Sequence, residues 1–95
     1  MNKVILTGRL GTDVEPITNG VKFNLATNEY NGKEEVTLWT RVVVFDKQAE
    51  LCQQYVKKGS LVLVEGRLSS KKSQEGTYST SVVAGRVEFL SLAKD

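Results

Sequence analysis

A chain of 95 residues, 40% hydrophobic and 25% charged, has the make-up of one globular domain, here spanning residues 1–95. Its net charge of +2 permits a polyanionic partner without demanding one, so the placement of charge has to carry that argument. With no histidine and a single cysteine, it offers neither an ordinary zinc site nor an internal disulfide, and the lone Cys52 fits a reducing compartment.

No apolar run approaches the roughly 18 residues of a membrane span, so no membrane partner is expected. The opening Met1-Asn2-Lys3-Val4-Ile5-Leu6-Thr7-Gly8 is too short and strand-like for a signal peptide, and the expected location is cytoplasmic, with an organelle matrix as the alternative. Val4 to Leu10 alternates with apolar residues on both faces, as in a strand covered on two sides or paired with another subunit. Gly8 and Gly11 mark bends, and a continuation from Asp13 to Thr18 is expected, with Pro16 at an edge or irregularity. Asn19-Gly20 is a two-residue hairpin signal in which both positions favour positive φ. The next strand, Val21 to Glu29, sets Val21, Phe23, Leu25 and Thr27 on one face and Lys22, Asn24, Ala26 and Asn28 on the other.

Tyr30 to Glu35 reads as a polar loop turning at Asn31-Gly32, with Tyr30 at its base either covering the core edge or serving as a stacking plate. Thr37 to Phe45 is rich in β-branched and aromatic residues and is the third strand. Leu38, Thr40, Val42 and Val44 form an ordinary core face. Trp39, Arg41, Val43 and Phe45 form the other, two aromatics with a guanidinium between them. That pattern suits either unpaired bases stacked on rings with phosphate at the cation, or a second core at an interface.

Asp46 to Lys58 is the expected helix, with Asp46 as N-cap, Ala49, Cys52, Tyr55 and Val56 as its buried stripe, Lys57 and Lys58 in the last turn and Gly59 at C′. Ser60 to Lys72 starts apolar and ends basic, as a strand leaving the core to project as a cationic arm. A turn over Ser73 to Thr77 leads to the last strand, Tyr78 to Leu92, with a bend at Gly85, and nothing remains for a tail beyond Ala93-Lys94-Asp95. The order β-β-β-α-β-β predicts an all-β fold with one helix, the five-stranded oligonucleotide-binding (OB) barrel. Such barrels carry ligands on strands two and three and the neighbouring loops.

Glu34-Glu35 reads as a solvated turn. Gly8-Arg9-Leu10-Gly11 is no phosphate loop, since no Lys-Ser/Thr follows and no helix starts there. The chain therefore carries no catalytic constellation, is not expected to be an enzyme, and calls for no cofactor or metal. Its cations are more informative: Arg41 shares the Trp39/Phe45 face, Lys22 lies on the neighbouring strand, and Arg67, Lys71 and Lys72 follow the arm. Converging on one groove, they would make an electrostatic track for a phosphate backbone.

The opening Met1-Asn2-Lys3-Val4-Ile5-Leu6 with Gly8-Arg9-Leu10-Gly11 closely resembles that of bacterial-type single-stranded DNA-binding proteins (SSB). Asn19-Gly20, Leu25-Ala26-Thr27-Asn28-Glu29, Trp39 with Arg41-Val42-Val43 and Phe45, Tyr55 with Lys57-Lys58-Gly59-Ser60, and Val64-Glu65-Gly66-Arg67-Leu68 continue the likeness in order. The resemblance implies sequence-independent binding and protection of single-stranded DNA in replication, recombination or repair. It implies stacking on Tyr30, Trp39 and Phe45, and backbone contacts from Arg41, Lys47, Lys58, Lys71 and Lys72. A further family tryptophan falls at Ser73, so one plate is absent here. The family implies a homotetramer, with a dimer as the alternative. Typical bacterial members also carry a Gly/Pro/Gln-rich linker and an acidic tip that recruits replication and repair proteins. This chain stops at Asp95, so a short form is expected, either natural or truncated. The alternative function is a primosomal-type interaction module in replication restart with secondary DNA binding.

Overall fold

The computed structural model describes residues 1–93; Lys94 and Asp95, the end expected after the last strand, lie outside them. The elements are β1 (Val4–Leu10), β2 (Glu15–Ile17), β3 (Gly20–Tyr30), β4 (Glu35–Phe45), α1 (Asp46–Tyr55), β5 (Leu61–Lys72) and β6 (Tyr78–Ser91). β1 pairs antiparallel with β5, β5 with β6, and β4 with β3, while β6 runs parallel to β4. Arg9 and Leu10 of β1 pair with Ala26 and Leu25 of β3 and close the barrel. After an irregular stretch, β2 continues along the same side of β3, so β1 and β2 act as one broken strand. The five-stranded OB barrel and the single helix are as expected.

Alternation fills the interior. Val21, Phe23 and Leu25 of β3, Val42 and Val44 of β4, and Val62 and Val64 of β5 are all buried, together with Leu10 and Val82. Each such side chain contributes about 1.5–3 kcal/mol of transfer free energy. Ala49, Cys52 and Val56 bring the helix onto this core. Burial pushes the Cys52 thiol up to about 11, so it stays protonated at neutral pH and acts as a small apolar side chain.

The helix differs from expectation at both ends. Asp46 is its first residue rather than its cap. Phe45 occupies the cap position with no side-chain hydrogen bond, and Asp46 has φ +61. β4 runs into α1 without a loop, and one residue in the left-handed region makes the turn, a conformation aspartate tolerates better than most. At the other end the helix stops at Tyr55, and Val56 is extended. Lys57 and Lys58 therefore lie beyond the last turn of the helix. They belong to a turn in which the Ser60 N–H donates to the Lys57 carbonyl at 3.0 Å, with Gly59 at φ +92 supplying the bend. Tyr55 is half exposed at the edge of the buried stripe, its ring tilted against Phe89 at 6.4 Å.

Two turns are also redrawn. Ile17 pairs with Gly20, so the first hairpin turns on Thr18-Asn19. Only Asn19 has positive φ there, at 64°, and Gly20 is a strand residue. The bend expected at Gly85 is a bulge: Glu65 pairs with Arg86 and Gly66 with Ala84, leaving Gly85 unmatched. Gln48 of the helix fixes it, donating from Nε2 to the Gly85 carbonyl (2.7 Å) and accepting from the Val87 N–H (2.6 Å).

Candidate nucleic-acid interface

The register of β3 on β4 lays out the outward face rung by rung: Tyr30 opposite Glu35, Asn28 opposite Thr37, Ala26 opposite Trp39, Asn24 opposite Arg41, Lys22 opposite Val43, and Gly20 opposite Phe45. Of their alternate neighbours, Val21, Phe23, Leu25, Val42 and Val44 point into the barrel. Trp39, Tyr30 and Phe45 thus share one face, and they are 61%, 73% and 40% exposed. At about 3.4 Å per residue, Trp39 and Phe45 stand about 20 Å apart along β4, and Tyr30 lies about 13 Å beyond Trp39. Exposed rings of this size on a sheet surface fill no core within the chain, and their open faces can take bases.

Two of the plates rest on glycine. A Cβ at Gly11 would sit 2.1 Å from the Trp39 ring, so this ring lies across the bare backbone just after β1. A Cβ at Gly20 would meet the Phe45 ring at 2.8 Å and the Val44 carbonyl oxygen at 2.3 Å. Gly11 was expected as a bend and Gly20 as a turn residue; both also provide clearance for an aromatic. We expect Gly11→Ala to leave melting nearly unchanged, because the Trp39 side chain can swing away, while weakening oligo(dT) binding measurably. Fluorescence titration beside thermal unfolding checks this, and unchanged affinity with a lowered melting temperature would contradict it.

The cations divide by location. Arg41 and Val43, with Phe45 at one end, form one wall of a groove. The outward residues of the projecting β5–β6 hairpin, Arg67, Ser69, Lys71, Ser79 and Ser81, form the other, and Lys22 stands at the mouth. Among the described residues no carboxylate lines this groove. Beside it, a small polar hollow is lined by Thr12, Glu15, Asn24 and Arg41, and there Lys22 Nζ lies 3.7 Å from Glu15 Oε2. Four cations with hydroxyls between them offer donors for phosphate oxygens, with Glu15 as the acid beside Lys22 at the mouth.

Three cations that the family resemblance grouped with these lie elsewhere. Lys47 is in the first turn of α1, over a separate hollow with Asn19, Glu50 and Gln53. Lys58 sits in the turn after the helix, its backbone N–H donating to Asp13 Oδ1 at 2.8 Å. Lys72 is on the hairpin arm, but on the face opposite Lys71, over the ring of Tyr78. Sequence reasoning did not mark Ser69, Ser79 and Ser81, although strand alternation with Arg67 and Lys71 places them on the groove face.

A closed barrel of this topology with an aromatic and cationic outward sheet defines the class, a small OB-fold module. Residues 1–90 match the model of the Single-strand binding protein family, and the chain belongs to that family. It is 38% identical over 110 residues to single-stranded DNA-binding protein 1 of Chlorobaculum tepidum, covering 100% of this chain and 67% of the relative. It is 41% identical over 104 residues to the single-stranded DNA-binding proteins of Neisseria meningitidis serogroups A and B, covering 95% of this chain and 60% of each relative. The chain thus spans three-fifths to two-thirds of the length of these relatives. Among solved structures it is similar to a Plasmodium falciparum SSB in complex with ssDNA, with a TM-score of 0.78, 30% identity and 95% of each chain covered.

Proposed function

We propose that this protein binds single-stranded DNA without regard to sequence, by stacking bases on Trp39, Phe45 and Tyr30 while Arg41, Arg67, Lys71 and Lys22 hold the phosphates. The observation that carries this reading is the outward β3–β4 face, where three exposed rings share one surface with Arg41. Its continuity with a groove that no carboxylate lines among the described residues adds the electrostatic half. No hydrogen-bonding pattern specific to one base is required, since every base has a π-face. The place of action is replication, recombination or repair of DNA, in the cytoplasm. The β1 edge from Val4 to Gly8 supports self-association into a homotetramer: β5 pairs it on one side, and no strand pairs its other side among the described residues.

The test is a titration with oligo(dT) followed through Trp39, the single tryptophan, whose emission should be quenched on binding. Affinity should fall with salt, with a log–log slope of about −0.7 for each phosphate contacted. No quenching together with no mobility shift at low salt would overturn the reading, and a salt-independent affinity would overturn its electrostatic part.

A further inference from the structure

The chain between β1 and β2, residues 11–14, passes under the Trp39 ring. Three carbons of that ring, Cε3, Cζ3 and Cη2, would lie within 3.2 Å of a Cβ at Gly11. The connection is held from two sides. Toward β3, the Gly11 N–H donates to the Asn24 carbonyl at 2.9 Å, and Thr12 Oγ1 accepts from the Asn24 N–H at 3.4 Å. On the other side, Asp13 Oδ1 accepts from the Lys58 backbone N–H at 2.8 Å. The turn that presents this N–H is itself locked to the end of β1. The Leu10 N–H donates to the Ser60 carbonyl (3.0 Å), the Gly59 N–H to the Leu10 carbonyl (2.9 Å), and Arg9 Nη1 to the Gly59 carbonyl (2.9 Å). Among the described residues, Thr12 and Asp13 take part in none of the backbone–backbone hydrogen bonds of the turns and loops, so their side chains hold this stretch.

We propose that Asp13 is a positioning residue for the Trp39 plate: by holding the Lys58 N–H, its carboxylate ties the β1–β2 connection to a locked turn and keeps the Gly11 backbone beneath the ring, set in advance for a stacked base. The proposal rests on the single-strand-binding reading above. Of the two side-chain ties, that of Asp13 is the shorter, and a hydrogen bond to an ionised carboxylate is roughly twice as strong as a neutral one. A loop already fixed in its bound conformation spares binding the cost of ordering it. Charge makes the proposal distinctive. Asp13 follows Thr12, which lines the hollow that Arg41 and Lys22 share. A carboxylate so near a phosphate track repels a polyanion, so by charge alone its removal would tighten binding. Positioning predicts the opposite sign. It also gives Lys58 a role through its main chain, independent of its ammonium.

The experiment compares the unaltered protein with Asp13→Ala, Asp13→Asn and Lys58→Ala, well below their melting temperatures. In the free proteins, the anisotropy of Trp39 emission and its quenching by acrylamide report how firmly the ring is held. Oligo(dT) titration then gives affinity. Asp13→Ala should lower the anisotropy, raise the quenching and weaken oligo(dT) binding about 2- to 10-fold, the cost of ordering one side chain on binding. Asp13→Asn removes the same charge but keeps an oxygen that can accept the N–H, so it should restore the Trp39 signals and bind at least as tightly as the unaltered protein. Lys58→Ala keeps the N–H and should leave the Trp39 signals of the free protein unchanged. Asp13→Ala binding as tightly as its parent or tighter would overturn the proposal, and so would equal behaviour of the alanine and asparagine variants. A weaker Asp13→Ala whose Trp39 signals do not move would also overturn it, reducing Asp13 to a stabiliser of the turn. Failure of the unaltered protein to bind oligo(dT) would instead overturn the single-strand-binding reading, while the Trp39 signals of the free proteins would still decide whether Asp13 holds the ring.

Discussion

Replacing Trp39 with alanine is expected to weaken oligo(dT) binding by about 1–3 kcal/mol for each base it stacks, the range alanine substitution gives in proteins of this class. In affinity this is roughly five-fold to over a hundred-fold. The ring is mostly exposed and lies over the Gly11 backbone rather than in the core, so the variant should fold and melt close to the unaltered protein. Because the substitution removes the only tryptophan, the readout is the anisotropy of a labelled oligonucleotide. Trp39→Phe should recover part of the loss, since a smaller ring still stacks. An alanine variant that binds as well as its parent would assign this face to packing against another protein surface.

The largest effect on folding is expected at Leu25. It is fully buried on β3, paired with Leu10 of β1 on one side and Thr40 of β4 on the other, at the seam that closes the barrel. Leu25→Ala removes buried methyl groups and leaves a cavity the surrounding strands cannot fill, at a cost of about 2–5 kcal/mol. For a domain of this size the melting temperature should fall by roughly 10 °C or more. Leu38→Ala is the control. Leu38 has the same sense of alternation on β4 but is 45% exposed, and its truncation should cost no more than about 1 kcal/mol. Equal losses at the two positions would mean that Leu38 is covered in solution, by a partner or a second copy.

That contrast also marks how far the sequence could be read. The alternation of β4 placed Trp39, Arg41 and Phe45 together because strand periodicity is local and strict. It could not tell that Leu38 lies outside the core. β6 pairs with β4 only over Val42 to Val44, and the β3–β4 hairpin outruns the barrel beyond that. The extent of pairing is set by distant strands. Lys47 and Lys58 were grouped with the groove by position in a motif, and the helix start and the turn at Gly59 carry them elsewhere. Lys71 and Lys72 share the arm, but neighbours on a strand face opposite ways, and only Lys71 lines the groove. Gly11 and Gly20 hold a subtler lesson. Their local signal was a bend and a turn, whereas what requires a small residue at each is a ring arriving from a strand far along the chain.

Those two glycines have a consequence for what the face can accept. Trp39 and Phe45 lie against the bare backbone at Gly11 and Gly20, while Lys22, Arg67 and Lys71 line the neighbouring groove. A ligand that satisfies both must turn its bases down to the floor and keep its sugar–phosphate chain at the rim. A double helix is built the other way round: its bases are already stacked and paired inside, and only phosphates face outward. It could meet the cations but would have no open base to lay on the rings. On the proposed reading, a face that needs open bases would favour single strands over duplex without reading any one base.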